Sequence, residues 1–178
     1  MEAEELESLL NEDKENLKNF IKRLFEDNPN MYLSDFYMLG AVKRSYGNIN
    51  GLSTLIHSRN MNATRCLLRV HLDTVLRFQA FWYVENIDQF VQKILQGESV
   101  SKFKDKLGNN LTDSYLADIL SKNHPWAKMY IKICVVISIF QMHIFGMELI
   151  QKILIMESSL FKSRSKIQSI LNGVGMKF

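Results

Sequence analysis

Near the start of the chain the apolar residues Leu6, Leu9, Leu10, Leu17, Phe20, Ile21, Leu24 and Phe25 return at steps of three, four and seven. That is the spacing of one helical face, and it predicts an amphipathic helix over 4–27. Asn28-Pro29-Asn30 stops it. Ser34-Asp35 offers an N-cap for a second helix reaching about Arg59. Gly40, Gly47 and Gly51 fall inside this helix, each weakening helicity by about 1 kcal/mol relative to alanine. They either let another helix approach closely or mark a break near Gly47.

A third helix, capped by Asn62 or Thr64, is expected to run to about Tyr83. Leu67, Leu68, Val70, Leu72, Val75, Leu76 and Phe78 make it apolar on more than one side, as a central helix should be. Asn86 caps a short helix through Leu95, closed by Gly97. The segment 102–110 reads as a charged loop with a turn at Gly108-Asn109. Thr112-Asp113 then opens another helix that ends before His124-Pro125, since the residue preceding proline avoids the α region.

Beyond Pro125 the pattern changes. Residues 133–147 carry no formal charge, and ten of the sixteen isoleucines follow Tyr130. A membrane span needs about 20 apolar residues, so this shorter run, interrupted by Gln141 and His143, is read as a buried helix; membrane association through it is the least favoured reading. The fold expected is an all-α bundle of five or six helices, with 1–130 as the bundle domain and 131–178 as an apolar, basic helical tail.

Composition agrees with helices. Two prolines and eight glycines in 178 residues are too few for the many tight turns of a sandwich or barrel. The net charge of +3 conceals opposite ends: residues 1–30 hold nine acids and four bases, and residues 124–178 hold seven bases and two acids. Spread among apolar positions, the bases of the tail fit a solvated helix face. Cys66 and Cys134 make no disulfide framework, and Met1-Glu2-Ala3-Glu4-Glu5 has neither a basic nor an apolar signal region. A reducing cytoplasm is therefore the expected setting.

The densest chemistry lies on the third helix, where Arg65, Arg69, Asp73 and Arg77 follow at four-residue steps and form one polar ridge. In one reading Asp73 pairs with Arg69 and Arg77 on a surface face, as structural ion pairs. In the other, the guanidinium forks of Arg69 and Arg77 bind phosphate and Asp73 orients them. Phe81-Trp82-Tyr83 can stack bases or close the helix into the core. HExxH, paired CxxC, GxxxxGK[ST] and GxGxxG are all missing, so neither a metal nor a cofactor is implied.

Arg65 and His71, with five residues between them, are similar to the Arg-x4-6-His signature of the HEPN superfamily of helical ribonucleases and nucleotide-binding domains. Residue 66 is Cys where that family usually has a polar residue. The resemblance implies a HEPN-like RNA-directed protein: a metal-independent ribonuclease toxin or phage-defence component, usually a homodimer, with Arg65 and His71 as the catalytic pair. A histidine near neutral pKa moves the 2′-hydroxyl proton while arginine stabilises the phosphorane charge. The alternatives are a buried His71 without catalytic role and a non-catalytic helical interaction module.

Residues 36–130 also resemble an uncharacterised bacterial family of small helical proteins related to HEPN-like domains. The carriers are Leu67-Leu68-Arg69 with Asp73 and Arg77, the basic stretch 102–106 followed by Leu107-Gly108, then Leu111-Thr112-Asp113-Ser114-Tyr115-Leu116, and Ser121 with His124-Pro125-Trp126. Members typically continue with Ser-Gly-Tyr-Ile-His-Phe-Ser and a further histidine. Here residues 135–144 read Val-Val-Ile-Ser-Ile-Phe-Gln-Met-His-Ile. Codons built from the last base of each residue and the first two of the next are compatible with Gly-Tyr-Ile-His-Phe-Ser-Asp-Ala-His.

This agreement points to a frameshift at 129–132, which also accounts for the isoleucine excess and for the lack of aspartate after Asp118. Sequencing the gene tests this. The alternative frame is expected to stay open and carry the histidine motif; early stops in that frame refute it.

Overall fold

The computed structural model describes residues 3–26, 31–126 and 150–155. Among these the fold is all-α, with a single 3-10 turn and one isolated bridge, Lys104 to Asn110, as the other regular features. The chain divides into two compact units, Met1–Asn30 with Met147–Phe178, and Met31–Gly146. The 133–147 run and most of the 131–178 tail lie outside the described residues.

In the first unit, α1 (Ala3–Glu26) buries Leu6, Leu10, Leu17 and Phe20, and the short helical segment 150–155 buries Ile150, Ile153 and Leu154. The stripe on α1 advances by alternating steps of four and three. Its middle position is Asp13, 3% exposed. The periodicity passes over this residue because it is polar, although its place on the helix makes it a core position.

The second unit is built on α2 (Leu33–His57) and α3 (Met61–Ala80), followed by α4 (Ile87–Leu95), the 3-10 turn Val100–Lys102 and α5 (Asp113–Asn123). Helix α2 begins one residue before the expected Ser34-Asp35 cap. Asp35 serves from the third helical position instead, its carboxylate accepting the Tyr32 N–H at 2.8 Å. The helix does not break at Gly47. Close approach is what Gly51 provides, since a Cβ built there would lie 2.6 Å from Leu67 Cδ2 of α3.

Neither Asn62 nor Thr64 caps α3. That role belongs to Asn60, whose side chain accepts from Ala63 N–H at 3.2 Å, so the helix starts earlier than expected. Residues 58–60 are the whole connection. Asn60 N–H donates to Leu55 C=O and Arg59 N–H to Ile56 C=O, both at 2.9 Å, with Arg59 left-handed at φ 55°. This is the paired-bond termination that usually employs glycine. The same pattern ends α4, where Glu98 bonds to Lys93 C=O and Gly97 to Ile94 C=O, with Gly97 at φ 93°. The expected caps Asn86 and Thr112 are both observed, accepting from Gln89 and Tyr115 N–H.

The core of this unit joins Met38, Val42, Ile49 and Leu52 of α2 to Leu68, Leu72, Val75 and Leu76 of α3, with Phe90 and Val91 from α4 and Leu116 and Leu120 from α5. Aromatic rings run through it. Tyr37 stacks on Phe81 at 5.6 Å and meets Phe90 edge-on at 5.6 Å, and Phe90 meets Phe103 at 4.8 Å. The last four carbonyls of a helix have no partner within it. In α3, those of Phe78, Gln79 and Ala80 accept from Phe81, Trp82 and Tyr83, and that of Arg77 accepts the Tyr37 hydroxyl at 2.8 Å.

A Cβ on Gly47 would meet nothing within 4 Å. Gly47→Ala is therefore expected to raise the unfolding free energy in urea by about 0.5–1 kcal/mol. Gly51→Ala, which must displace Leu67, is expected to gain less than Gly47→Ala; an equal or larger gain would show that the contact constrains nothing.

Candidate functional site

Helix α3 carries the expected ridge, and the structure sorts its members. Arg69 Nη1 lies 2.8 Å from Asp73 Oδ1, with the two side chains 27% and 26% exposed. Arg77 is exposed and Arg65 is half-buried. Of the two pairs expected for Asp73, the one with Arg69 is at contact distance; Arg77 reaches the carboxylate through its longer-range charge. An ion pair of this spacing on a helix contributes about 0.2–0.5 kcal/mol, and the acid standing C-terminal to the base is the weaker orientation.

Two residues that the sequence does not connect with the ridge enter the same electrostatic field. Arg44 comes from the middle of α2 and Asp113 from the first turn of α5. Each is an ordinary charged residue on its own helix, and only the packing of three helices puts them near Asp73. Burial lifts the Asp73 carboxyl above its ordinary pKa; Asp113 adds to that shift, and Arg69, Arg77 and Arg44 oppose it.

His71 is 0% exposed, on the side of α3 that also buries Leu68, Leu72 and Val75. A separation of six residues on a regular helix sets two side chains about 120° apart around the axis and about 9 Å along it. Arg65 and His71 therefore leave α3 in different directions: one half-buried, the other wholly enclosed. Phe81 is also core, 1% exposed, with Trp82 edge-on to it at 5.6 Å.

The remaining histidines are local. His57 is exposed, its Nδ1 2.8 Å from the Ser53 carbonyl; His124 follows α5 beside Trp126, its pKa lowered by burial. His143 and Cys134 lie outside the described residues. Cys66 is exposed as a free thiol. Among the described residues no three His, Cys, Asp or Glu side chains are grouped to hold a metal ion, and no helix is long and apolar enough to cross a membrane.

Comparison of the chain with protein-family models, with curated proteins and with solved structures returns no match.

A second polar cluster lies at Asp105, which the sequence showed only as part of a charged loop. Its carboxylate accepts from Leu107 N–H at 2.9 Å, Asn109 N–H at 2.8 Å and the Tyr115 hydroxyl at 2.5 Å. The Tyr115 bond, helped by the Asn109 and Leu107 amides, holds the Asp105 carboxyl down at about 2, and the same bond raises the pKa of Tyr115.

The two aspartates therefore respond to pH in opposite senses. Asp105, depressed, supports the fold above the ordinary carboxyl range and loses that contribution as pH falls towards about 2. Asp73, raised, favours the fold most below its ordinary value and loses that contribution as pH rises through its shifted pKa. Carboxyl-carbon NMR titration is expected to show Asp73 titrating above the usual aspartate range and Asp105 near 2; coincident titrations would contradict both environments.

Proposed function

We propose that the chain is a non-catalytic helical interaction module whose Arg/Asp ridge serves structure and electrostatics. The observation that supports this reading is the enclosure of His71, which is 0% exposed on the core side of α3. A general base must come within hydrogen-bond reach of the proton that it takes, and this imidazole faces the interior. The arginines are divided in a way that suits the same reading. Arg69 spends its charge on Asp73, while Arg44 and Arg77 stand exposed and remain available to an anionic partner surface.

The HEPN-like reading, with Arg65 and His71 cleaving RNA and Arg69 and Arg77 holding phosphate, requires α3 to present His71 to substrate. The all-α fold is compatible with it, and so is the position of the pair on a central helix. Burial of the imidazole ranks it second. The homodimer and the toxin or phage-defence role belong to that same reading.

A metal-free cleavage assay on single-stranded RNA separates the two. The wild-type protein and Arg65→Ala are expected to show the same background level. Cleavage by the wild type that falls at least a hundredfold in Arg65→Ala, with an unchanged circular-dichroism spectrum, would establish the catalytic reading instead. Arg65 is preferred to His71 as the variant because it is only half-buried.

A further inference from the structure

Between the 3-10 turn and α5 the chain makes a braced loop with Leu107 at its tip, 84% exposed and the most exposed large apolar side chain among the described residues. Both limbs are fixed. Asp105 N–H donates to Asn109 C=O at 2.9 Å, Leu111 N–H to Phe103 C=O at 2.8 Å, and Lys106 N–H to Tyr83 C=O at 3.2 Å. Beneath the tip, the Asp105 carboxylate takes the Leu107 and Asn109 amides and the Tyr115 hydroxyl. The backbone that presents this exposed leucine is held by the loop's own hydrogen bonds.

The approach to the tip alternates. Phe103, whose ring meets Phe90, and Asp105 are partly buried, whereas Lys102, Lys104 and Lys106 are exposed. Phe103 and Asp105 turn inward, and the lysines before, between and after them are left exposed to solvent. The ionised Asp105 carboxylate is bonded within its own loop, and the three lysines leave the segment a net charge of +2. The result is an apolar point above a collar of positive charge.

We propose that the 102–107 loop docks on the surface of an anionic phospholipid bilayer, with Leu107 entering the acyl boundary and Lys102, Lys104 and Lys106 resting at the headgroups. The chemistry of the side chains selects this occupant. Lysine is a compact charge without directional demand, suited to a diffuse anionic surface. Protein interfaces are depleted in lysine, and leucine is under-represented among their energetic anchors. RNA recognition uses stacked rings and guanidinium planes; the segment has no arginine, and its one ring, Phe103, is engaged with Phe90. A protruding side chain enters a bilayer without a matching pocket. One apolar tip with one basic collar gives weak, reversible attachment, in which apolar burial adds to electrostatic attraction. None of the residues of the α3 ridge takes part, so this proposal and the function proposed above stand or fall separately.

The test is co-sedimentation of the full chain with vesicles of phosphatidylcholine alone, or with phosphatidylserine as about one lipid in three. Binding is expected to the phosphatidylserine vesicles only, and to weaken as salt is raised. Each of Lys102→Ala, Lys104→Ala and Lys106→Ala is expected to lower the partition coefficient about fivefold, and Leu107→Ala about tenfold. Phe36→Ala, which removes a 52% exposed ring on α2, is expected to change nothing. All these side chains are exposed, and circular dichroism checks that each variant folds. The proposal is overturned by lack of binding to the phosphatidylserine vesicles, by equal loss in Phe36→Ala, by full binding in the triple lysine variant, or by full binding in Leu107→Ala.

Discussion

The second unit depends on one row of aromatic rings. Tyr37 of α2 stacks on Phe81 just past the end of α3 and meets Phe90 of α4 edge-on; Phe90 passes the contact to Phe103 in the loop before α5. Four parts of the chain thus share one set of ring contacts, each adding about 0.5–1.5 kcal/mol beyond simple burial. The Tyr37 hydroxyl adds a directional bond, to the one carbonyl of the last α3 turn that the following backbone does not take up. Its burial raises the pKa of the phenol far above the ordinary range, so the hydroxyl keeps the proton that it donates. This bond ties the last turn of α3 to α2.

With α3 held in this way, its two sides have different jobs. One side is packed against α2 and α5 and encloses His71 along with the leucines. The other carries the Arg69–Asp73 pair, which Arg44 and Asp113 join from neighbouring helices. The field around Asp73 comes from three helices and is not a property of the four-residue repeat alone. Within it, burial and the neighbouring Asp113 together outweigh the guanidinium groups, and the carboxyl lies above its ordinary pKa.

Much of the architecture was legible in the sequence because its signals were local. The stripe of α1, the Asn86 and Thr112 caps and the stop at Gly97 each follow from residues within a turn of where they act. The misplaced boundaries have an equally physical cause. Arg59 performs in a left-handed conformation the task that glycine performs at Gly97, and a positively charged side chain gives no hint of it. Asn60 is hidden as a cap because the pattern places the end of α2, at Arg59, directly before it. For the site, the α3 ridge could be read from spacing, whereas Arg44 and Asp113 could not, since their relation to Asp73 exists only after packing. Asp105 was visible as a charge in a loop of lysines; its role as the acceptor at the centre of that loop depends on Tyr115, ten residues away.

The connection between α2 and α3 has a mechanical consequence. Asn60 supplies the amide that closes one helix and the side chain that opens the next. No residue is left over to act as a swivel. The corner between the two helices is therefore set by backbone hydrogen bonds on both sides of residues 58–60. A longer connection would leave that angle to side-chain packing alone, whereas here the backbone shares in fixing it.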